Sequence, residues 1–323
     1  MHTKYPTDLK FDELPDPKRV WAGAPGSREE GLGRLLLLTD ERIRRAAQQI
    51  QTGQRVGLNW DLTKLEHPGY GRISCDHQVV PILDGDAFDD VYTMNPQQSS
   101  QWDGLRHWGM LSHPDAKQRE FYGGTTKTEI MDRSSDRIGI HHWAREGITG
   151  RAVLIDYASW AEKKGIEYSA FSLHTIKLQD IITIAEESQI LFEKGDILLV
   201  RSGMTKEWEQ KMDVEAKKRY AAAESPHHAG LEATTDMLRW IWDTGFAAVA
   251  GDAISFEVFP PVGDITLHDY FLAGWGMPIG EMFDLERLAQ VCQQLNRWTF
   301  FFASMPINMP GGVSSPPNAQ AIF

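Results

Sequence analysis

A chain of 323 residues with 41% apolar and 24% charged side chains can bury a substantial core, and α/β enzymes of this length commonly fold as one unit. The formal charge of −12, without any basic cluster wide enough to follow a phosphate backbone, argues against nucleic acid as a partner. No apolar run approaches the roughly 20 residues that span a bilayer, and Met1–Lys10 lacks the basic-then-apolar order of an export signal. Cys75 and Cys292 show no CxxC spacing, which fits two buried or idle thiols in a reducing compartment. A cytoplasmic protein that works away from membranes is the expectation.

In chain order, residues 1–35 carry Pro6, Pro15, Pro17 and Pro25, which exclude a long helix or central strand and predict an extended N-terminal arm against the body or a partner subunit. Residues 36–323 are expected to form a single domain. Thr39-Asp40 is an N-cap signal for a helix running to Gln51, with Gly53 as its stop. Arg55 to Leu62 alternates as a half-buried strand does. Short apolar runs at 153–155, 197–200 and 249–251 predict buried central strands, and helices are predicted at 178–187, 213–223, 233–244 and 285–295. Strands and helices interleave, so the class is α/β or α+β with a mixed sheet. Lys217-Lys218-Arg219 reads as the solvated face of one of these helices.

The segment Ser99-Ser100-Gln101-Trp102-Asp103-Gly104-Leu105-Arg106-His107 places an amide, a carboxylate and an imidazole at short intervals. If Gln101–Asp103 is extended, Gln101 and Asp103 share a face, and Gly104 lets the chain turn so that His107 swings back towards them. Two metal ligands and a proton shuttle can come from one such segment. For Asp103 the competing reading is an ordinary Asp-Gly turn.

Here the chain resembles the cyclase family that includes bacterial kynurenine formamidase and isatin hydrolase. The hallmark of that family is His-x-Gly-Thr-His-x-Asp-x-Pro-x-His, whose first two histidines and aspartate bind a divalent metal and whose last histidine is the acid/base. In this sequence Gln97 and Gln101 occupy the two ligand-histidine positions, Asp103 the aspartate and His107 the catalytic histidine. Further similar blocks follow in order at Gly139-Ile140-His141-His142-Trp143, Gly150–Asp156, Gly195–Gly203, Ala250–Glu257, Leu267-His268, Gly276–Glu281 and Pro310–Asn318. The resemblance runs from about Arg55 to the C-terminus.

The resemblance implies the swivelling β/β/α fold, a mixed sheet flanked by helices, and a homodimer or higher homo-oligomer with its site near a subunit boundary. It implies a metal set of Gln101, Asp103, His268 and Glu281, with Asp103 and His107 catalytic, and a reaction at the carbon–nitrogen bond of a small cyclic or aromatic amide. Glu281 has a second reading, a carboxylate favouring a nearby helix N-terminus. Manganese or zinc is the expected ion, and replacement of two imidazoles by amides shifts the preference towards harder ions or removes tight binding altogether. The alternative is therefore a metal-free cyclase-like protein, either a small-molecule binder or a non-hydrolytic enzyme using His107 and Asp103.

Other candidates carry two readings each. Arg201, at the end of a predicted strand, either holds a substrate carbonyl or carboxylate or is buried against an acid such as Asp252 or Glu257. Among eleven tryptophans, Trp60, Trp102, Trp108, Trp143 and Trp275 lie near the family-like blocks; Trp60 and Trp102 are candidates for a flat substrate pocket, against the core role usual for the residue. Of the adjacent pairs His141-His142 and His227-His228, at most one member can enter a site, and surface or capping roles compete.

Overall fold

The structure, a computed structural model, describes Tyr5, residues 8–113 and residues 116–323; the rest of the expected arm, residues 1–4 and 6–7, lies outside the described residues. Its centre is a nine-stranded mixed sheet made of Arg55–Gly57 (β1), Gln101–Asp103 (β2), Ile148–Ile155 (β3), Ile197–Val200 (β4), Ala248–Gly251 (β5), Ile279–Glu281 (β6), Thr299–Ser304 (β7), Ser314–Ser315 (β8) and Ala319–Ile322 (β9). The spatial order is β1-β9-β7-β3-β4-β5-β6-β2-β8. Strands β3 to β6 are parallel to one another, and antiparallel strands close both sides.

The parallel centre follows from composition. Ile197–Val200 and Ala248–Gly251 are buried along their whole length, as strands covered on both faces must be, so they read as unbroken apolar runs. Truncating one such side chain, Leu199→Ala for example, carries a cost of about 2–5 kcal/mol. The helices fall close to their sequence signals. Thr39 caps Asp40–Ala46 through its side chain, Leu178–Glu187 matches its predicted span, and Asp213 and Thr234 cap Val214–Ala222 and Thr235–Thr244. The first of these ends in a 3-10 turn at Ala47–Gln49 rather than reaching Gly53.

One strand is shorter than its pattern. Regular pairing at Arg55 stops at Gly57, after which Leu58 still donates to Ala319 and Asn59 bridges to Phe283, so alternation persists without a ladder. The N-terminal segment packs on the body. Tyr5 Oη donates to the Trp275 carbonyl, the Trp242 indole to the Leu9 carbonyl and the Trp275 indole to the Pro17 carbonyl, while Leu14, Val20 and Ala22 join the main core. A hairpin of Asp76–Ile82 and Ala87–Thr93 stands apart from the sheet and exposes Val79, Leu83, Phe88 and Tyr92. Among the described residues no helix is long and apolar enough to cross a membrane.

Candidate active site

The site is built where β2 pairs with β6. The antiparallel register sets Gln101 opposite Glu281 and Asp103 opposite Ile279, so Gln101, Asp103 and Glu281 point to one face. Trp102 and Gly280 are opposite each other on the other face. There the indole packs edge-on to Phe283 and Phe302 and donates to Ser304 Oγ at 2.8 Å. A Cβ at Gly280 would stand 2.6 Å from that of Ala250 and 3.0 Å from the Trp102 ring, so this close packing requires glycine. Trp102 is thus a core residue that fixes the strand, not a pocket wall, because the alternation that unites Gln101 with Asp103 turns the residue between them away.

Gly104 fits for a similar reason, since a Cβ there would sit 2.5 Å from the Val313 carbonyl oxygen, to which its own N–H is tied elsewhere along the chain by a 2.9 Å bond. The turn that follows, closed by His107 N–H to the Gly104 carbonyl at 2.8 Å, brings His107 Nε2 to 3.8 Å from Asp103 Oδ2. From another loop His268 places Nε2 at 3.7 Å from the same oxygen and 3.4 Å from Glu281 Oε1. A π-helical turn, Asp269–Gly274, starts immediately after it, a geometry that recurs at functional sites. The other ring nitrogen, Nδ1, bonds Glu257 Oε2 at 2.9 Å, and the His268 N–H meets Glu257 Oε1 at 3.2 Å.

Asp103, His268 and Glu281 are buried, and one ligand atom from each lies within 4.8 Å of the others. The two glutamines complete the arrangement through hydrogen bonds. The Gln97 amide nitrogen donates to Asp103 Oδ1, and that of Gln101 donates to Glu281 Oε2 at 2.8 Å and to Gln97 Oε1 at 3.3 Å. With their N–H groups committed to the carboxylates, Gln101 Oε1 is left buried without a partner, as is Asp103 Oδ2. Such orphaned oxygens are costly in a protein interior. A divalent cation would satisfy both, and the donor set fits one: two carboxylates, an amide oxygen and an imidazole whose second nitrogen is held by a carboxylate.

The electrostatics follow from this crowding. Burial and the charge of Asp103 push the Glu281 carboxyl up to about 7. For Asp103 burial acts against ionisation, but His107, His268 and the Gln97 amide outweigh it and hold the carboxyl below its ordinary value. Burial likewise opposes the charged form of His268, yet Glu257, Asp103 and Glu281 raise it well above the usual imidazole range. His107 is held below its ordinary value, chiefly by burial.

His107, His268 and Glu281 open onto a cavity of about 520 Å³ whose other walls include Tyr70, Arg72, Trp108, Arg119 and Phe259. His228 lines it as well and sits in a buried chain. Tyr220 Oη donates to His228 Nε2 at 2.5 Å, His228 Nδ1 donates to Ser255 Oγ at 3.0 Å, and Ser255 donates to the Glu257 carbonyl at 2.9 Å. Burial holds His228 neutral, with its pKa lowered to about 3.

Two substrate contacts expected from the sequence are corrected besides Trp102. Arg201 does not line this cavity; its guanidinium makes two bonds to Glu286, at 2.8 and 2.7 Å, and one of 2.6 Å to Asp156, so its fork is saturated by acids other than the two considered above. Trp60 packs in a separate small cluster with Leu65, Trp208 and Met282 and donates its indole N–H to Glu209. His141 is buried, accepting from Gly311 N–H and facing Asp136, and His142 packs beneath Gly31. Trp108 does face the cavity, beside His268. The residues that sequence reasoning missed are Glu257, Tyr70, Arg72, Arg119 and Phe259. Glu257 ends a family-like block with no spacing signal of its own, Tyr70, Arg72 and Phe259 lie in loops, and Arg119 starts a three-residue strand too short for a periodic signal.

A site of this construction defines a class, and comparison with known proteins identifies it. Residues 36–258 match the family described as "Putative cyclase", and the chain belongs to that cyclase family. Among solved structures it is similar to a novel cyclase at 27% identity, covering 92% of this chain and 97% of that one with a TM-score of 0.78. Isatin hydrolase A from Ralstonia solanacearum shares the fold at 14% identity, with 84% and 92% of the two chains covered and a TM-score of 0.58. An isatin hydrolase bound to the product analogue thioisatinate aligns at 12% identity, 86% and 94% coverage and a TM-score of 0.57. No curated protein sequence matches the chain. The mixed α/β fold flanked by helices is therefore the cyclase fold that the resemblance implied.

Proposed function

We propose that this protein is a metal-dependent hydrolase of the carbon–nitrogen bond in a small cyclic or aromatic amide. The observation that carries the reading is the convergence of Asp103, His268 and Glu281 beside two buried oxygens that accept no hydrogen bond, Asp103 Oδ2 and Gln101 Oε1. These four side chains would hold the ion, and the predominance of oxygen donors favours manganese over zinc. When bound, a divalent ion lowers the pKa of water and polarises a carbonyl.

The chain's own residues supply the rest. Glu257 fixes the His268 ring so that Nε2 faces the carboxylates. Gln97 and Gln101 hold the two carboxylates in place. In hydrolysis a water oxygen bonds to the amide carbon, the carbon–nitrogen bond breaks, and the nitrogen leaves with a proton. His107, at the cavity and held below the usual imidazole value, is neutral near pH 7 and able to take the proton from water and return it to nitrogen. Tyr70, Trp108 and Phe259 offer flat walls for a ring.

A second reading keeps the pocket but not the ion. His268 already stands within ion-pair reach of Glu257, Glu281 and Asp103, at 2.9, 3.4 and 3.7 Å, so the cluster can cohere without an added cation. A panel of aryl amides and cyclic imides, isatin included, separates the two. Ring opening or deformylation that EDTA stops and Mn²⁺ restores supports the hydrolase; saturable binding without turnover or metal uptake supports the metal-free binder. The homodimer or higher oligomer proposed with this function would bury the exposed faces of the 76–93 hairpin, since an isolated two-stranded ribbon is marginal in water. Light scattering on the purified chain reads that state directly.

A further inference from the structure

Arg72 is a half-buried cation in the wall of this cavity, and among the described residues no carboxylate lies within ion-pair distance of it. Its Nη1 donates to the Gln97 carbonyl at 3.0 Å, and its guanidinium carbon lies 5.0 Å from the centre of the Tyr70 ring. Those two contacts fix the plane of the group and occupy one of its five N–H donors. Arg119, the other arginine of the cavity, differs: Nη1 bonds the Gly109 carbonyl, and Asp269 stands 3.9 Å away. Arg201, buried outside the cavity, has its fork filled by Glu286 and Asp156. Arg72 alone of the three, with no carboxylate in ion-pair contact, presents an oriented fork to the space a ligand would fill.

The anchor of Arg72 is also informative. Gln97, whose carbonyl it grips, is the residue whose amide holds Asp103, so Arg72 is registered to the acid cluster through one residue. A carboxylate formed by hydrolysis arises at that cluster and needs no second cation. An anion received by Arg72 besides that product would belong to the substrate beforehand. A cavity of about 520 Å³ has room for one ring with such a substituent.

We propose that Arg72 orients the substrate by taking a carboxylate in a two-bond fork, and that the substrate class is a cyclic or aromatic amide already bearing a carboxylate group. The assignment rests on the reading of this cavity as the hydrolytic site. Planar bidentate capture is what a guanidinium offers and an ammonium does not.

Isothermal titration of benzoate and of its neutral isostere benzamide, into Mn²⁺-saturated wild type, Arg72→Gln and Arg72→Lys, tests it. Wild type should bind benzoate about tenfold or more tightly than benzamide, R72Q should lose that preference, and R72K should keep a reduced one. Equal affinities in wild type, or a preference that survives in R72Q, overturn the assignment. If circular dichroism shows R72Q unfolded, R72K decides, because a preference as large as that of wild type excludes capture by a fork. Mn²⁺ occupancy, followed by EPR on the same samples, reports separately on the metal reading. Equal benzoate and benzamide affinities in wild type with intact Mn²⁺ uptake confine the failure to the Arg72 assignment.

Discussion

Two clusters of buried charge sit at the carboxyl ends of the parallel strands, and they differ in whether every group is satisfied. After β4 and β5, Asp252 accepts from Ser202 N–H and Oγ, Gly203 N–H and Met204 N–H, while Arg201 is shared by Asp156 and Glu286. Nothing in that cluster is left over, and it ties two strand ends to the helices Tyr157–Lys164 and Glu286–Leu295. After β6, three carboxylates and two histidines meet, and Asp103 Oδ2 and Gln101 Oε1 accept no hydrogen bond, the former having only the longer contacts to His107 and His268. A closed network is a fastening; an open one is a place for a ligand.

The largest expected effect falls on the open cluster. Asp103→Asn removes its central charge and should abolish both turnover and Mn²⁺ uptake with the thermal transition retained, checked by activity, EPR and calorimetry on one preparation. Next comes His107→Ala, where loss of the proton shuttle should lower kcat by about 10²–10⁴ while Mn²⁺ uptake persists. Near-wild-type turnover would remove His107 from the chemistry. The reverse pattern belongs to the closed cluster. Arg201→Met leaves Asp156 and Glu286 unpaired and should cost about 3–5 kcal/mol of stability in denaturant titration, with metal uptake unchanged. If R201M lost the metal as D103N does, the two clusters would not be separate.

The smallest effect at neutral pH is a signature at the cavity wall that emerges only on acidification. The folded pKa of His228, about 3, lies below the ordinary imidazole value of 6.5. The stability that this buried neutral ring represents is therefore present above pH 6.5 and is lost as pH falls from there towards 3, at up to about 1.4 kcal/mol per pH unit. His228→Gln should flatten that part of the stability profile. A variant whose profile keeps the wild-type slope over this range would show that other groups set it.

Much of the open cluster could be read from sequence, because period-two alternation joins Gln101 with Asp103, the turn at Gly104 returns His107 towards them, and the later family-like blocks supplied His268 and Glu281. The same alternation, followed one residue further, also turns Trp102 into the core. What could not be read came from loops and long-range pairing. Glu257 reaches His268 across a non-repeating segment, and Arg72 is set in the cavity wall by Gln97 and Tyr70. Arg201 was legible as a buried strand-end cation, but its partners Asp156 and Glu286 come from two other elements that only the sheet order brings together. The hairpin at 76–93 escaped because Pro81 and the run Asp89-Asp90 mask its alternation, and because it owes nothing to the core.

Metal uptake tests the central claim most directly. Protein stripped with chelator and titrated with Mn²⁺ under EPR should bind the ion saturably in wild type and in R201M but not in D103N. Absence of uptake by wild type at millimolar Mn²⁺, or equal uptake by D103N, would contradict the assignment of Asp103, Gln101, His268 and Glu281 as its ligands.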